Sequence, residues 1–211
     1  EQEAVVHNFS MTTEVRYAGF WRRLASAIID MLIAMFLSFA LTMVFPVESK
    51  PAYFARLLVV VLSYASYNVV LHARYGKTLG KMALGITLKR VDLTPVGWKE
   101  AGLRYVGDAA LVVLGLVGTA ISLSQVDQET FTHVAQSYSV FGRGEEAVKA
   151  AGDAVRAFQA LNPFHFAETV LIWIWLLAEI FTVLFNEKRR AVHDFIAGTV
   201  VTVDQKSSTT A

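Results

Sequence analysis

Four apolar runs, each long enough to cross a lipid bilayer as a helix, constrain this 211-residue chain more than anything else in it. They cover Leu24 to Phe45, Ala55 to Leu71, Tyr105 to Leu123 and Ala167 to Phe185. A helix of about 20 residues spans the roughly 30 Å hydrocarbon core, and a segment in lipid must satisfy its backbone internally. Hydrophobic residues make up 55% of the chain and charged residues 18%, which is oilier than an ordinary soluble domain. The expected fold is therefore an all-α bundle of four transmembrane helices occupying residues 18–203, with tails at 1–17 and 204–211. Pro46 and Pro51 punctuate the first turn. No cleavable leader is read ahead of the first span, and Met11 is a candidate start, with residues 1–10 an upstream extension.

Lysine and arginine set the expected orientation. Fourteen of the 19 fall on one side of the bundle, among them Arg16, Arg22, Arg23, Arg74, Lys77, Lys81, Lys188 and Lys206. Only Lys50, Arg56, Arg143, Lys149 and Arg156 fall on the other. The positive-inside rule makes the richer side cytoplasmic, with both termini there. Two connections are too long to be turns. In the cytoplasmic loop, His72 to Gly102, the alternation of Ile86, Leu88 and Val91 is a faint strand signal. In the outer loop, 125–165, Val148, Ala151, Val155 and Phe158 recur at helical spacing, which predicts an amphipathic helix capping the outer face.

The charges inside the spans are the functional suspects, because insertion scales put a central carboxylate at about +2.5 to +3.5 kcal/mol. Asp30 lies seven residues inside Arg23, and Glu179 seven residues inside Asn186 on the antiparallel fourth span. At 1.5 Å per residue both sit about 10 Å deep. Asp108 follows Arg104 by four residues, a spacing at which the two can pair along one helix face. Three carboxylates thus share the inner half of the membrane, while the outer halves carry no comparable cluster. Glu179 has no partner within its own helix. One reading is a set of buried ion pairs holding helices in register. The other is a site for protons or small cations, since a surplus carboxylate in low dielectric holds a proton readily.

Other chemistries find no support. The absence of cysteine excludes disulfides, thiolate metal sites and thiol nucleophiles. The five histidines have no metal-ligand spacing, so no metal or other cofactor is implied. Gly76-Lys77-Thr78-Leu79-Gly80-Lys81 is one residue short of a phosphate-binding loop, and Met82 stands where a magnesium-holding hydroxyl belongs. Gly76, Gly80 and Gly85 permit tight turns there, and Lys77 and Lys81 are expected against anionic lipid headgroups. The basic loop follows from orientation, so no nucleic-acid partner and no enzymatic activity are expected. Small residues in the third span (Gly107, Ala109, Ala110, Gly115, Gly118) permit close helix contact within the chain or in a homo-oligomer.

Three motifs in order carry a resemblance: Ala18-Gly19-Phe20-Trp21-Arg22-Arg23-Leu24 with Asp30 behind it, Gly76 to Ile86, and Asn186-Glu187-Lys188-Arg189-Arg190-Ala191-Val192-His193-Asp194-Phe195-Ile196-Ala197-Gly198-Thr199-Val200-Val201. Together they resemble the RDD family of bacterial integral membrane proteins, named for one arginine and two aspartates. The resemblance implies that Arg23, or Arg22 beside it, is the signature arginine and that Asp30 and Asp194 are the aspartates. It also implies an inner-membrane location, with transport, and for some members cation and proton exchange, as the suspected activity. The leading expectation is therefore a small transporter exchanging a monovalent cation for protons, with Asp30 as titrating group, then Glu179 and Asp108. The alternative is a non-transporting assembly, anchoring or regulatory subunit of another membrane complex, since the chain has no internal repeat to supply a second half. The most specific geometric expectation is that Arg22 or Arg23 pairs with Asp30 or Asp194.

Overall fold

The structure is a computed structural model, and it describes residues 15–45, 47, 49–137 and 144–204. Pro46, Arg143, Lys206, the candidate start Met11 and most of both tails lie outside the described residues.

Four long helices are apolar enough to cross a membrane: α1 (Phe20–Val44), α2 (Lys50–Tyr75), α4 (Trp98–Gln125) and α7 (His165–Phe185). Each is longer than its apolar run. α2 begins five residues early because Ser49 caps its N-terminus, its hydroxyl accepting from Ala52 N at 3.3 Å, with Pro51 in the first turn. It ends at Gly76, whose φ of 65° only a residue free of a Cβ adopts without strain. α4 begins seven residues early: the Glu100 carboxylate accepts from Gly97 N at 2.8 Å and from Arg90 Nε at 3.0 Å, joining the helix start to the preceding strand. The spans turn large side chains outward. Phe36, Phe166, Phe181 and Phe185 are each more than 60% exposed, a surface compatible with lipid and not with water.

At the end where the chain enters α1, the connections are ordered. Thr78 caps the short α3 (Leu79–Ala83), which leads into β1 (Ile86–Arg90). The chain returns after α7 through α8 (Val192–Ala197) into β2 (Thr199–Val203). The two strands pair antiparallel, Ile86 opposite Val203 and Arg90 opposite Thr199. Residues 16–18 add to the free edge of β2, Ala18 N donating to Val201 O and Val203 N to Arg16 O, both at 2.8 Å. Ala18, Ile86, Leu88, Val96 and Val201 form a buried core beneath this sheet. The bundle is thus not purely helical. The strand signal at Ile86 and Leu88 is real, and the apolar run 199–203 packs on that loop as its strand partner.

At the opposite end, α5 (Gln128–Gln136) and α6 (Glu145–Ala160) pack together. Phe131, Val134, Ala154 and Phe158 enclose a core with Leu123 and Val126, and Tyr53 from α2 meets Phe131 and Phe158 edge-on.

Candidate functional site

Asp194 is the electrostatic centre of the sheet end. It is wholly buried in the first turn of α8 and accepts from Ala191 N at 3.0 Å, which caps that helix. Its Oδ2 also takes Arg23 Nη1 at 2.6 Å, and its Oδ1 takes Arg104 Nη1 and the Thr199 hydroxyl. Burial alone would raise its pKa. The Arg104 guanidinium opposes that most, then His193 and Arg23, and together they hold it well below the ordinary carboxylate range. One carboxylate therefore ties α1, α4 and β2 to α8. Arg190 reinforces the turn, donating to Asp194 O at 2.9 Å and Thr199 O at 3.0 Å while lying 4.2 Å from the Phe195 ring. Gly198, at φ 65°, lets the chain leave α8 for β2.

The expected arginine–aspartate pair is present as Arg23–Asp194. Arg22, one residue away, is exposed and joins no ion pair among the described residues. Two other pairings that the sequence left open are not made. Arg104 does not pair with Asp108 along its own helix, because its two terminal nitrogens are committed to Asp194 and to His193. Asp30 has no arginine partner among the described residues either. Its carboxylate accepts from Tyr67 OH and the Thr78 hydroxyl, both at 2.6 Å, and from Gly80 N at 2.9 Å. Three neutral donors from α2 and the start of α3 do what a counter-ion was expected to do.

This explains the Gly-Lys-Thr-Leu-Gly-Lys segment. Thr78 is both the cap of α3 and a donor to Asp30. A Cβ on Gly80 would run into Ser26 O and the Asp30 carboxyl group, so only glycine lets α3 press on α1. Lys77 pairs with Asp204 at 2.6 Å across the sheet end. Lys81, expected at headgroups, instead lines the interior and joins no hydrogen bond or ion pair through its ammonium among the described residues. Burial pushes that ammonium down to about 8, with Arg104 adding to the shift and Asp30 opposing it.

The remaining acids meet in one cavity of about 620 Å³ between α1, α2, α4 and α7. Asp30, Asp108 and Glu179 all line it, with Lys81, His72 and His193. Asp108 accepts one hydrogen bond, from the Trp175 indole at 3.0 Å, and joins no ion pair among the described residues. Glu179 accepts from His193 through its backbone N at 3.1 Å and its Nδ1 at 2.9 Å. Because a guanidinium only donates, His193 Nε2, 2.6 Å from Arg104 Nη2, must accept, which places the ring proton on Nδ1 facing Glu179. Asp194, Arg104, His193 and Glu179 thus form one connected chain from the sheet end into the cavity. His72 donates from Nδ1 to Asn68 O at 2.7 Å, so its buried Nε2 is an acceptor with no partner. Arg23 Nη2 is likewise buried without one.

Tyr67, His72 and Trp175 carry no signal in the sequence, since each is an unremarkable type in its local pattern, and the contact of Thr78 and Gly80 with Asp30 does not follow from their segment alone. Only the Gly-x-x-x-Gly spacing with a hydroxyl between hinted at a cradle, and it was read as turns.

Comparison with family profiles then decides what this arrangement belongs to. The RDD family profile matches residues 17–198, most of the chain and all of the elements just described up to the start of β2. The chain belongs to the RDD family. Comparison with curated proteins and with solved structures returned no match. In this RDD protein Arg23 and Asp194 are one buried pair, and Asp30 stands apart on neutral donors. With four apolar spans, the chain is a multi-pass membrane protein.

Proposed function

We propose that this RDD protein exchanges a monovalent cation for protons through the cavity bounded by Asp30, Asp108 and Glu179. The observation that carries the reading is Asp108: a carboxylate within a span, facing a 620 Å³ cavity, with one neutral hydrogen bond and no cation paired to it. A charge placed at that cost usually faces an ion path. Asp30 was the first suspect from sequence, but its three donors make it a clamp between α1, α2 and α3. Asp108 and Glu179 are the exchanging groups in this reading. A dehydrated cation finds acceptors there in both carboxylates and in His72 Nε2. Lys81 is the resident positive charge it displaces: with its pKa at about 8, the ammonium gives up its proton as a cation enters and regains it as the cation leaves.

Orientation follows from the basic residues at the sheet end. Arg22, Arg74, Lys188 and Arg189 are exposed there, positioned for anionic headgroups of the cytoplasmic leaflet of an inner membrane. Gly107, Gly115 and Gly118 serve contacts within the chain, since a Cβ on each would overlap Trp175, Glu168 and Asn162 respectively, so they do not argue for a homo-oligomer.

The test is exchange in proteoliposomes holding a pH-sensitive dye. Addition of Na⁺, Li⁺ or K⁺ should dissipate an imposed pH gradient, and Asp108→Asn should abolish the response while the purified variant keeps its size-exclusion profile. No response to any of the three cations from well-folded protein would refute the reading and favour the non-transporting subunit, as would co-isolation with one stable partner.

A further inference from the structure

A second polar cavity lies at the other end of the bundle, beneath α5 and α6, with a volume of about 360 Å³. Thr119 and Ser122 from α4, Glu168 and Thr169 from α7, and Asn162 before it contribute polar groups. Glu168 is its one acid, and it accepts from the Asn162 side chain at 3.3 Å. Two glycines make the room: a Cβ on Gly115 would meet the Glu168 carboxylate, and one on Gly118 would overlap the Asn162 amide. Nothing in the RDD signature involves these residues.

The two cavities nearly meet. Ile172 lines both. Along α4, the inner cavity reaches Leu111 and Val112, and Glu168 sits over Gly115. Three residues of helix, about 4.5 Å, separate those levels. Along α7, Glu168 lies one turn before Ile172, and Glu179 two turns after it. Polar groups therefore run from Glu168 to Glu179 with one apolar level between them.

We propose that the cavity under α5 and α6 is an outer vestibule, continuous with the inner cavity through a single constriction at Ile172, in which Glu168 is the group that a monovalent cation or proton first meets. The proposal rests on the exchange reading for its ligand class but not for its geometry. A charged species entering from the α5–α6 face is desolvated in steps, first by the Glu168 carboxylate and the Thr119 and Ser122 hydroxyls. It then passes one apolar ring to reach Asp108 and Glu179. Ile172, at the apolar level, is the element whose rotation or displacement opens the path.

The native chain has no cysteine, so each single-cysteine variant carries one thiol. We would treat Thr119→Cys and Asn68→Cys, in right-side-out and inverted vesicles, with a membrane-impermeant cationic methanethiosulfonate. The expected result is that Thr119→Cys reacts only from the α5–α6 face and Asn68→Cys only from the sheet face. In an Ile172→Ala background each should react from both faces, and in Ile172→Trp sidedness should be retained. Sodium should slow labelling of Thr119→Cys, and Glu168→Gln should remove that protection. Thr119→Cys unreactive from the α5–α6 face, or sidedness unchanged by Ile172→Ala in protein with a normal size-exclusion profile, overturns the vestibule. Should Ile172→Ala not fold, loss of sidedness in Ile172→Trp likewise overturns it. Protection by sodium that survives Glu168→Gln removes Glu168 from it. These readouts do not depend on turnover: correct sidedness with no proton–cation exchange refutes the proposed function and leaves the vestibule standing.

Discussion

Replacing Asp194 by asparagine tests whether the sheet end is held by charge or by shape. The variant keeps the side-chain volume and a carbonyl to accept from Ala191 N, so the α8 cap largely survives. What it removes is the one negative charge facing two guanidiniums whose side chains are only 13% and 10% exposed. Breaking a buried pair by neutralising one partner costs about 3 to 5 kcal/mol, because the other is left buried and uncompensated. For a chain of 150–250 residues, each kcal/mol moves the midpoint by about 2 to 4 °C, so Asp194→Asn should lower the thermal midpoint by roughly 6 to 20 °C. Static light scattering of detergent-solubilised protein on a temperature ramp would measure it. A second variant isolates the cause: adding Arg104→Gln removes one stranded cation, so the double variant should recover part of the loss. A shift under about 1 °C for Asp194→Asn, or a double variant as unstable as the sum of the singles, would refute the charge argument. The pH dependence has a defined sign. Since the folded-state pKa of Asp194 is depressed, its contribution is fully present above the unfolded value near 3.9 and is lost only as pH falls below that.

Lys81 gives the opposite sign. Its folded pKa of about 8 lies below the ordinary 10.5, so the unfolded chain binds the extra proton between those values, and stability should rise as pH climbs through that window. Lys81→Met should be more stable than the parent at pH 7 and should lack the rise, as read by midpoint against pH. Gly80→Ala places a methyl against Ser26 O and the Asp30 carboxyl, and overpacking of this kind should destabilise by about 1 to 3 kcal/mol and loosen α3, seen as faster amide exchange across 78–83. By contrast, Asp204→Asn removes a partly exposed pair with Lys77 and should change stability by about 0 to 1 kcal/mol, with that small effect shrinking in high salt.

The spans were legible because lipid imposes one rule on every residue of a segment, and a long apolar run satisfies it whatever the neighbours do. Their ends were not, since Ser49, Gly76 and the Glu100–Gly97 contact extend helices into polar sequence by local hydrogen bonds that hydropathy does not register. Depth was legible too. Counting seven residues from Arg23 and from Asn186 places Asp30 and Glu179 at one level, and both line the inner cavity. Partnership was not, because depth leaves the azimuth of each side chain free. Arg104 and Asp108 have ideal spacing for a pair, yet Arg104 turns to α8, where Asp194 has two cations and no water.

Asp30 and Asp194 end in different environments for a reason visible in what surrounds each. Asp194 sits at a helix start on the sheet end, where α1 and α4 both present arginines, so charge is available and charge is used. Asp30 sits deeper along α1, beyond Arg23, and its donors come from α2 and the start of α3. Those elements stabilise a carboxylate with what they have: the Gly80 amide in α3, the capping hydroxyl of Thr78 and the Tyr67 phenol of α2. Both solutions leave the acid satisfied, but they differ in what can change. An arginine pair locks Asp194 to the fold, whereas the donors to Asp30 bring no opposite charge. Lys81 lines the same cavity as Asp30, so the field between Asp108 and Glu179 depends on whether Lys81 holds its proton.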